Sequence, residues 1–123
     1  MKKCILLVDE DQDVLDLLKF NLEAEGYEVV TAKDGRQALA VLHNRTDLII
    51  LEEKLPEQSG GEVFQWLRSQ NVAKDIPALF LTTAPLNPDI VAQRSPATLA
   101  YLVKPVSMRA LLKRVKTILA EAS

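Results

Sequence analysis

Five short, strongly apolar runs punctuate this chain, and their length suits strands more than helices. Cys4-Ile5-Leu6-Leu7-Val8, Leu48-Ile49-Ile50-Leu51, Pro77-Ala78-Leu79-Phe80-Leu81-Thr82 and Ala100-Tyr101-Leu102-Val103 have the near-continuous hydrophobicity of strands covered on both faces. Glu28-Val29-Val30-Thr31-Ala32 supplies the remaining run. Between them the apolar residues return at helical spacing. Asp11 to Glu25 carries Val14, Leu15, Leu17, Leu18 and Leu22, with Gly26 as a C-terminal stop. Asp34 to Asn44 carries Ala38, Leu39, Val41 and Leu42. The turn Leu55 to Gly61 leads into Val63, Phe64, Trp66 and Leu67, where Trp66 reads as helix packing. Ser107 caps a last helix holding Leu111, Leu112, Val115, Ile118 and Leu119. Pro85, Pro88 and Pro96 hold any helix between Pro85 and Thr98 to about two turns. Strands alternating with helical segments predict an α/β fold: one doubly wound parallel sheet with helices on both faces, a single domain over residues 1–123.

In such sheets ligands bind beyond the carboxyl ends of the strands. Asp9, Glu10 and Asp11 follow the first strand, and Glu52 and Glu53 the third. Thr82 and Thr83 end the fourth, and Lys104-Pro105 the fifth. Taken singly, Asp11 reads as a helix cap, Thr82 as a hydroxyl bonded to its own backbone and Lys104 as a solvated amine. Together they form a set suited to phosphoryl transfer. Clustered carboxylates offer hard oxygens to Mg²⁺, while a hydroxyl and an ammonium neutralise phosphoryl oxygens. Packed together, these acids repel, which raises at least one carboxylate pKa.

Leu6-Leu7-Val8-Asp9-Glu10-Asp11, Asp47 through Pro56 with Ser59-Gly60, Leu81-Thr82 and Tyr101-Leu102-Val103-Lys104-Pro105 resemble the receiver domain of two-component response regulators. The resemblance runs the whole length and includes the interval of 22 positions from Thr82 to Lys104. It implies the flavodoxin-like (βα)5 fold with strand order 2-1-3-4-5. It also implies roles by position. Asp9 and Glu10 would be the metal-binding acid pair, joined by Glu52 and the Lys54 carbonyl. Thr82 would sense a phosphoryl group, Lys104 would be its cationic partner, and Tyr101 would be the aromatic whose rotamer reports activation. Mg²⁺ is the implied cofactor, and Glu52 and Lys54 are the two departures that bear on it. The implied partner is a sensor histidine kinase or another signalling protein, with any output domain outside this chain.

The position of Glu52 is an aspartate in that family, the acceptor of phosphate. A stem one methylene longer displaces the carboxylate by roughly 1 Å, enough to cost about a hundredfold where catalysis is positioning. The expectation is a degenerate, phosphate-independent module working through protein–protein contact, with Glu52 biasing it toward an activated-like state. The alternative is a Mg²⁺-dependent receiver still weakly phosphorylated on Glu52. Lys54 admits two placements: its ammonium over the acid cluster in place of a metal, or in solvent. On the output side Ala97-Thr98-Leu99-Ala100 replaces the family's acidic run, leaving Asp89 as the candidate partner for Arg109, Lys113, Arg114 and Lys116. This places dimerisation through that face in doubt, and the basic face reads as solvated.

Two readings from other classes stand beside it. Asp9-x-Asp11 imitates the nucleophile motif of haloacid-dehalogenase-like phosphatases, without the threonine and later acid pair they need. A flavin module of the same fold would need a hydroxyl- and glycine-rich first loop, and this one is acidic. A non-enzyme is therefore expected. Lys plus Arg is 15 and Asp plus Glu is 17, a net charge of −2, which gives no footprint for nucleic acid. No run approaches the roughly 18 apolar residues of a membrane helix, and the N-terminus does not read as a signal peptide, so a cytoplasmic protein is expected. Cys4 reads as a small core hydrophobe and His43 as a surface residue.

Overall fold

The computed structural model describes residues 2–43, 45–55, 57–70, 75–82 and 99–122. Its strands are β1 (Cys4–Val8), β2 (Glu28–Ala32), β3 (Thr46–Glu52), β4 (Ala78–Thr82) and β5 (Leu99–Val103). The described helices are α1 (Gln12–Ala24), α2 (Gly35–Val41), α3 (Gly60–Arg68) and α4 (Met108–Ala122). The expectations for the stretch from Pro85 to Thr98, and for Thr83 and Asp89, lie outside the described residues.

All neighbouring strands are parallel, in the order β2-β1-β3-β4-β5. The two-residue period of a strand divides the core into two layers. Leu6, Val8, Ile49, Leu51 and Phe80 pack with Ala38, Val63, Phe64 and Leu67 of α2 and α3. Ile5, Leu7, Leu48, Ile50, Leu79 and Leu81 pack with Leu15, Leu18 and Leu22 of α1 and Leu111, Val115 and Leu119 of α4. Both faces of β1, β3 and β4 are thus covered, which is why their sequences read as unbroken apolar runs.

Local chemistry sets the element ends. The Asp11 carboxylate accepts from the Asp13 and Val14 N–H groups at the start of α1. At its other end Gly26 takes φ 95°, the Gly26 N–H donates to Glu23 O at 3.0 Å, and the Tyr27 N–H donates to Leu22 O at 3.2 Å. That is a Schellman closure, with Tyr27 and Leu22 in the same apolar layer. Ser59 and Glu62 form a capping box on α3, and Ser107 Oγ accepts from the Ala110 N–H at 3.0 Å. The second helix ends at Val41, with Leu42 already extended, short of the expected Asn44.

Between β1 and β3 the register slips by one residue at Cys4/Ile5. Cys4 pairs with Thr46 and Ile5 with Leu48, leaving Asp47 as the extra residue. The Asp47 carboxylate turns back and accepts the Cys4 N–H at 2.8 Å. His43 is half-buried rather than a surface residue: its Nδ1 accepts the Arg45 N–H at 3.1 Å and its Nε2 lies 3.7 Å from Cys4 Sγ. The loop from β3 to α3 returns the chain so tightly that a Cβ on Gly60 would overlap the Glu52 carbonyl.

Candidate functional site

The carboxyl ends of β1, β3, β4 and β5 bring Asp9, Glu52, Thr82 and Lys104 to one edge of the sheet. Asp9, Glu52 and Thr82 are buried polar residues, at 5%, 6% and 4% exposure. Register aligns them: Glu52 lies beside Leu81, and Thr82 beside Val103, the residue before Lys104. The Lys104 N–H donates to the Thr82 carbonyl at 2.6 Å, continuing the ladder one step past β5. Its side chain then crosses the end of β4, and its ammonium donates to Glu52 Oε2. The other carboxylate oxygen, Oε1, accepts the Lys54 N–H at 3.3 Å.

Glu52 is therefore held from both sides, by a cation and a backbone amide. Lys54 takes part through its main chain, while its side chain is exposed. Of the two placements open to Lys54, its side chain takes the one in solvent, and Lys104 supplies the ammonium beside Glu52. Burying a carboxylate without a partner costs several kcal/mol. An amine two residues away on the same loop would have to fold back on itself, whereas Lys104 approaches from an adjoining strand end.

Asp9 accepts the Asp11 N–H on Oδ1 at 2.9 Å. Its Oδ2 is buried and has no hydrogen-bond partner among the described residues. Burial above all holds this carboxyl above its ordinary pKa; the Asp11 N–H lowers it, the Glu52 charge raises it, Lys104 lowers it and Asp11 raises it. One acid is raised, as expected, but burial rather than repulsion from the neighbouring acids is the main cause. Glu10 is exposed, and Tyr101 is half-buried on β5 beside Phe80. Among the described residues no three acid, histidine or cysteine side chains converge as a metal-ligand set. Glu52, expected to join Asp9 and Glu10 at a cation, has one carboxylate oxygen on the Lys104 ammonium. What remains is a buried, unpartnered oxygen on Asp9 with Glu10 next along the chain. That suffices for Mg²⁺, which takes one or two carboxylates and completes its shell with carbonyls and waters.

Fold and edge together define a flavodoxin-like α/β module with acids, a hydroxyl and a lysine at its carboxyl face. The chain belongs to the response regulator receiver domain family, whose pattern matches residues 5–116. It is 40% identical over 120 residues to the alkaline phosphatase synthesis transcriptional regulatory protein PhoP of Bacillus subtilis, covering 97% of this chain and 49% of that protein. It is 31% identical over 115 residues to the response regulator SaeR of Staphylococcus aureus, covering 94% of this chain and 50% of that one. The chain thus spans about half the length of these regulators. Among solved structures, the chemotaxis protein CheY4 of Vibrio cholerae superposes with a TM-score of 0.85 at 32% identity, over 96% of this chain and 99% of that one. The response regulator TrrA of Thermotoga maritima, solved in complex with Mg²⁺-BeF, gives 0.77 at 32% identity, over 94% and 98% of the two chains. The fold class and strand order expected from the sequence are those observed, and the module is a receiver of two-component signalling.

The Asp11 carboxylate is engaged as the cap of α1. Sequence reasoning missed the use of the Lys54 N–H, for which side-chain chemistry carries no signal.

Proposed function

We propose that this receiver works through protein–protein contact without a phosphoryl group, because Glu52 stands at the acceptor position and is held by Lys104. The ion pair between Lys104 Nζ and Glu52 Oε2 carries this reading. The carboxylate occupies space beside Lys104 that an acceptor's phosphoryl oxygens would need, and its charge satisfies the amine. In this reading Lys104 and Thr82 report the Glu52 carboxylate, and Tyr101 on β5 is the aromatic that would pass that state to the surface.

Asp9 and Glu10, with the Lys54 carbonyl, are the groups suited to hold Mg²⁺. Its role when bound would be to offset their charge. The Asp9 Oδ2 atom supports this assignment, since a buried oxygen without a donor among the described residues suits a cation. A sensor histidine kinase or another signalling protein is the partner, in the cytoplasm, and any output domain lies outside this chain.

Incubation with a small phosphodonor and Mg²⁺, followed by intact mass, tests the proposal. The wild-type chain is expected to keep its mass, while Glu52→Asp gains one phosphoryl group. A phosphoryl group found on Glu52 of the wild type would replace this reading with that of a weakly phosphorylated receiver. Partner binding supplies a second arm: unphosphorylated wild type should bind better than unphosphorylated Glu52→Asp, and equal binding removes the activated-like bias.

A further inference from the structure

Trp66 belongs to neither apolar layer of the core and stands 38% exposed on α3. The packing expected of it falls instead to Val63, Phe64 and Leu67, the large buried residues of that helix. Trp66 lines an open cleft of about 740 Å³ between α2 and the loop from β3 to α3. Leu39 adds a second apolar group, and Asp34, Arg36, Glu57 and Gln58 supply the polar lining. Gly35 lets the two sides approach, since a Cβ there would stand 3.1 Å from Val63 Cγ2 and 3.2 Å from Gln58 Oε1. An exposed indole among charged groups has the composition of a binding hot spot.

Charge selects the occupant. The same helix already holds one cation on an aromatic ring: the Arg68 guanidinium lies 4.5 Å from the Phe64 centroid. No cation lies over Trp66 among the described residues, although indole is the aromatic that attracts one most strongly. Two carboxylates in the cleft face one base. Asp34 accepts the Gln37 N–H on Oδ1 at 2.8 Å, which leaves its other oxygen for a ligand. Glu57 is exposed and makes no ion pair among the described residues. Its backbone is held at φ 67°, a left-handed conformation that costs energy in a residue other than glycine and recurs at binding sites. Arg36 is exposed, and its long stem lets its charge stay in water. A guanidinium suits this lining better than an ammonium, because it is flat, weakly hydrated and able to stack while its edge pairs with a carboxylate.

We infer that the cleft between α2 and the β3–α3 loop receives an arginine side chain of a partner protein, its guanidinium stacked on Trp66 and paired with Glu57 and Asp34. Lys54 and Ser59 bridge the base of that loop, and the Lys54 N–H donates to Glu52. The partner therefore rests on the segment that also holds the carboxylate at the acceptor position. This site goes beyond the phosphate-independent reading and stands or falls separately from it.

The test uses the full chain, in which Trp66 is the one tryptophan and reports by its own fluorescence. Three short Gly/Ser peptides are titrated, alike except for a central arginine, its neutral isostere citrulline, or glutamate. The arginine peptide is expected to shift Trp66 emission and to bind roughly tenfold tighter than the citrulline peptide, with a gap that narrows as salt rises. Glu57→Gln should weaken the arginine peptide by about threefold. Trp66→Leu should abolish binding, read from two-dimensional amide shifts, with a melting temperature near wild type because the residue lies outside the core. Should Trp66→Leu unfold, Glu57→Gln at an exposed position still decides. Equal binding of the arginine and citrulline peptides, unchanged affinity in Glu57→Gln, or no change in Trp66 emission up to about 10 mM arginine peptide overturns the site. Tighter binding of the glutamate peptide would make Arg36 the anchor and an acidic segment the occupant, against the choice made here. Self-association of the chain that Trp66→Leu abolishes would make a second copy the occupant and overturn it likewise.

Discussion

Lys104, from the end of edge strand β5, passes the end of β4 to donate to Glu52 at the end of β3. The carboxylate is buried and the amine about one-third exposed, so the two partners are unequal. Removing the amine leaves a buried charge; removing the charge leaves an amine that water can reach.

Lys104→Met is therefore expected to cost about 1–3 kcal/mol, discounted from a fully buried pair because the amine is partly in water. Glu52→Gln should cost less. The double variant should recover part of the loss in a urea-denaturation cycle, and strict additivity would show that the pair contributes no coupling.

Two glycines should fail for different reasons. Gly60→Ala puts a Cβ into the Glu52 carbonyl and within 3.0 Å of Glu53 Cα, and both neighbours are backbone. The expected loss is about 1–3 kcal/mol, with disturbance of the Glu52 environment. Gly26→Ala has open space around it but a φ of 95°, so its loss is about 1 kcal/mol from conformation alone. Chemical denaturation gives both, and only Gly60→Ala should alter the two-dimensional amide signal of Lys54.

Glu57 is a non-glycine residue at φ 67°. Asn tolerates the left-handed region better, so Glu57→Asn should raise stability by roughly 0.5–1 kcal/mol. A lower urea midpoint would mean that the Glu57 side chain contributes more than its conformation costs.

Burial, then the charges of Glu28 and Asp47, push the Cys4 thiol above its ordinary pKa. Burial, then Glu25, does the same for the Tyr27 phenol. In both cases the folded state keeps a proton that the unfolded state has released. The stability they contribute is complete below the unfolded pKa values, and it is lost as pH rises past about 8.5 for the thiol and about 10 for the phenol. The urea midpoint should fall across pH 8–11, and less steeply in Cys4→Ala. Alkylation of Cys4 at pH 8 should be slow in the native chain and fast in urea.

Much of the fold was legible because its determinants are local. The run Leu48-Ile49-Ile50-Leu51 needs both faces covered wherever it lies, and Asp11, Ser59 and Ser107 satisfy amides a few residues away. The extension of β3 back to Thr46 was not legible, since Asp47 breaks the apolar pattern. Its carboxylate belongs to a bulge that exists only where β1 lies alongside, and His43 is drawn inward by the same neighbourhood.

The sequence by itself determined which residues stand at the strand ends, since a strand's last apolar position fixes where its polar successor must emerge. It determined that Asp9, Glu52, Thr82 and Lys104 share one edge, given a parallel sheet. Only the tertiary structure decided how their charges are matched. Lys54 and Lys104 were both candidates for the acid cluster, and the one 52 positions away in sequence took it. The reason is geometric: strand order β3-β4-β5 aims the Lys104 side chain at Glu52, whereas the turn after Glu52 presents Lys54 by its amide and sends its side chain into water.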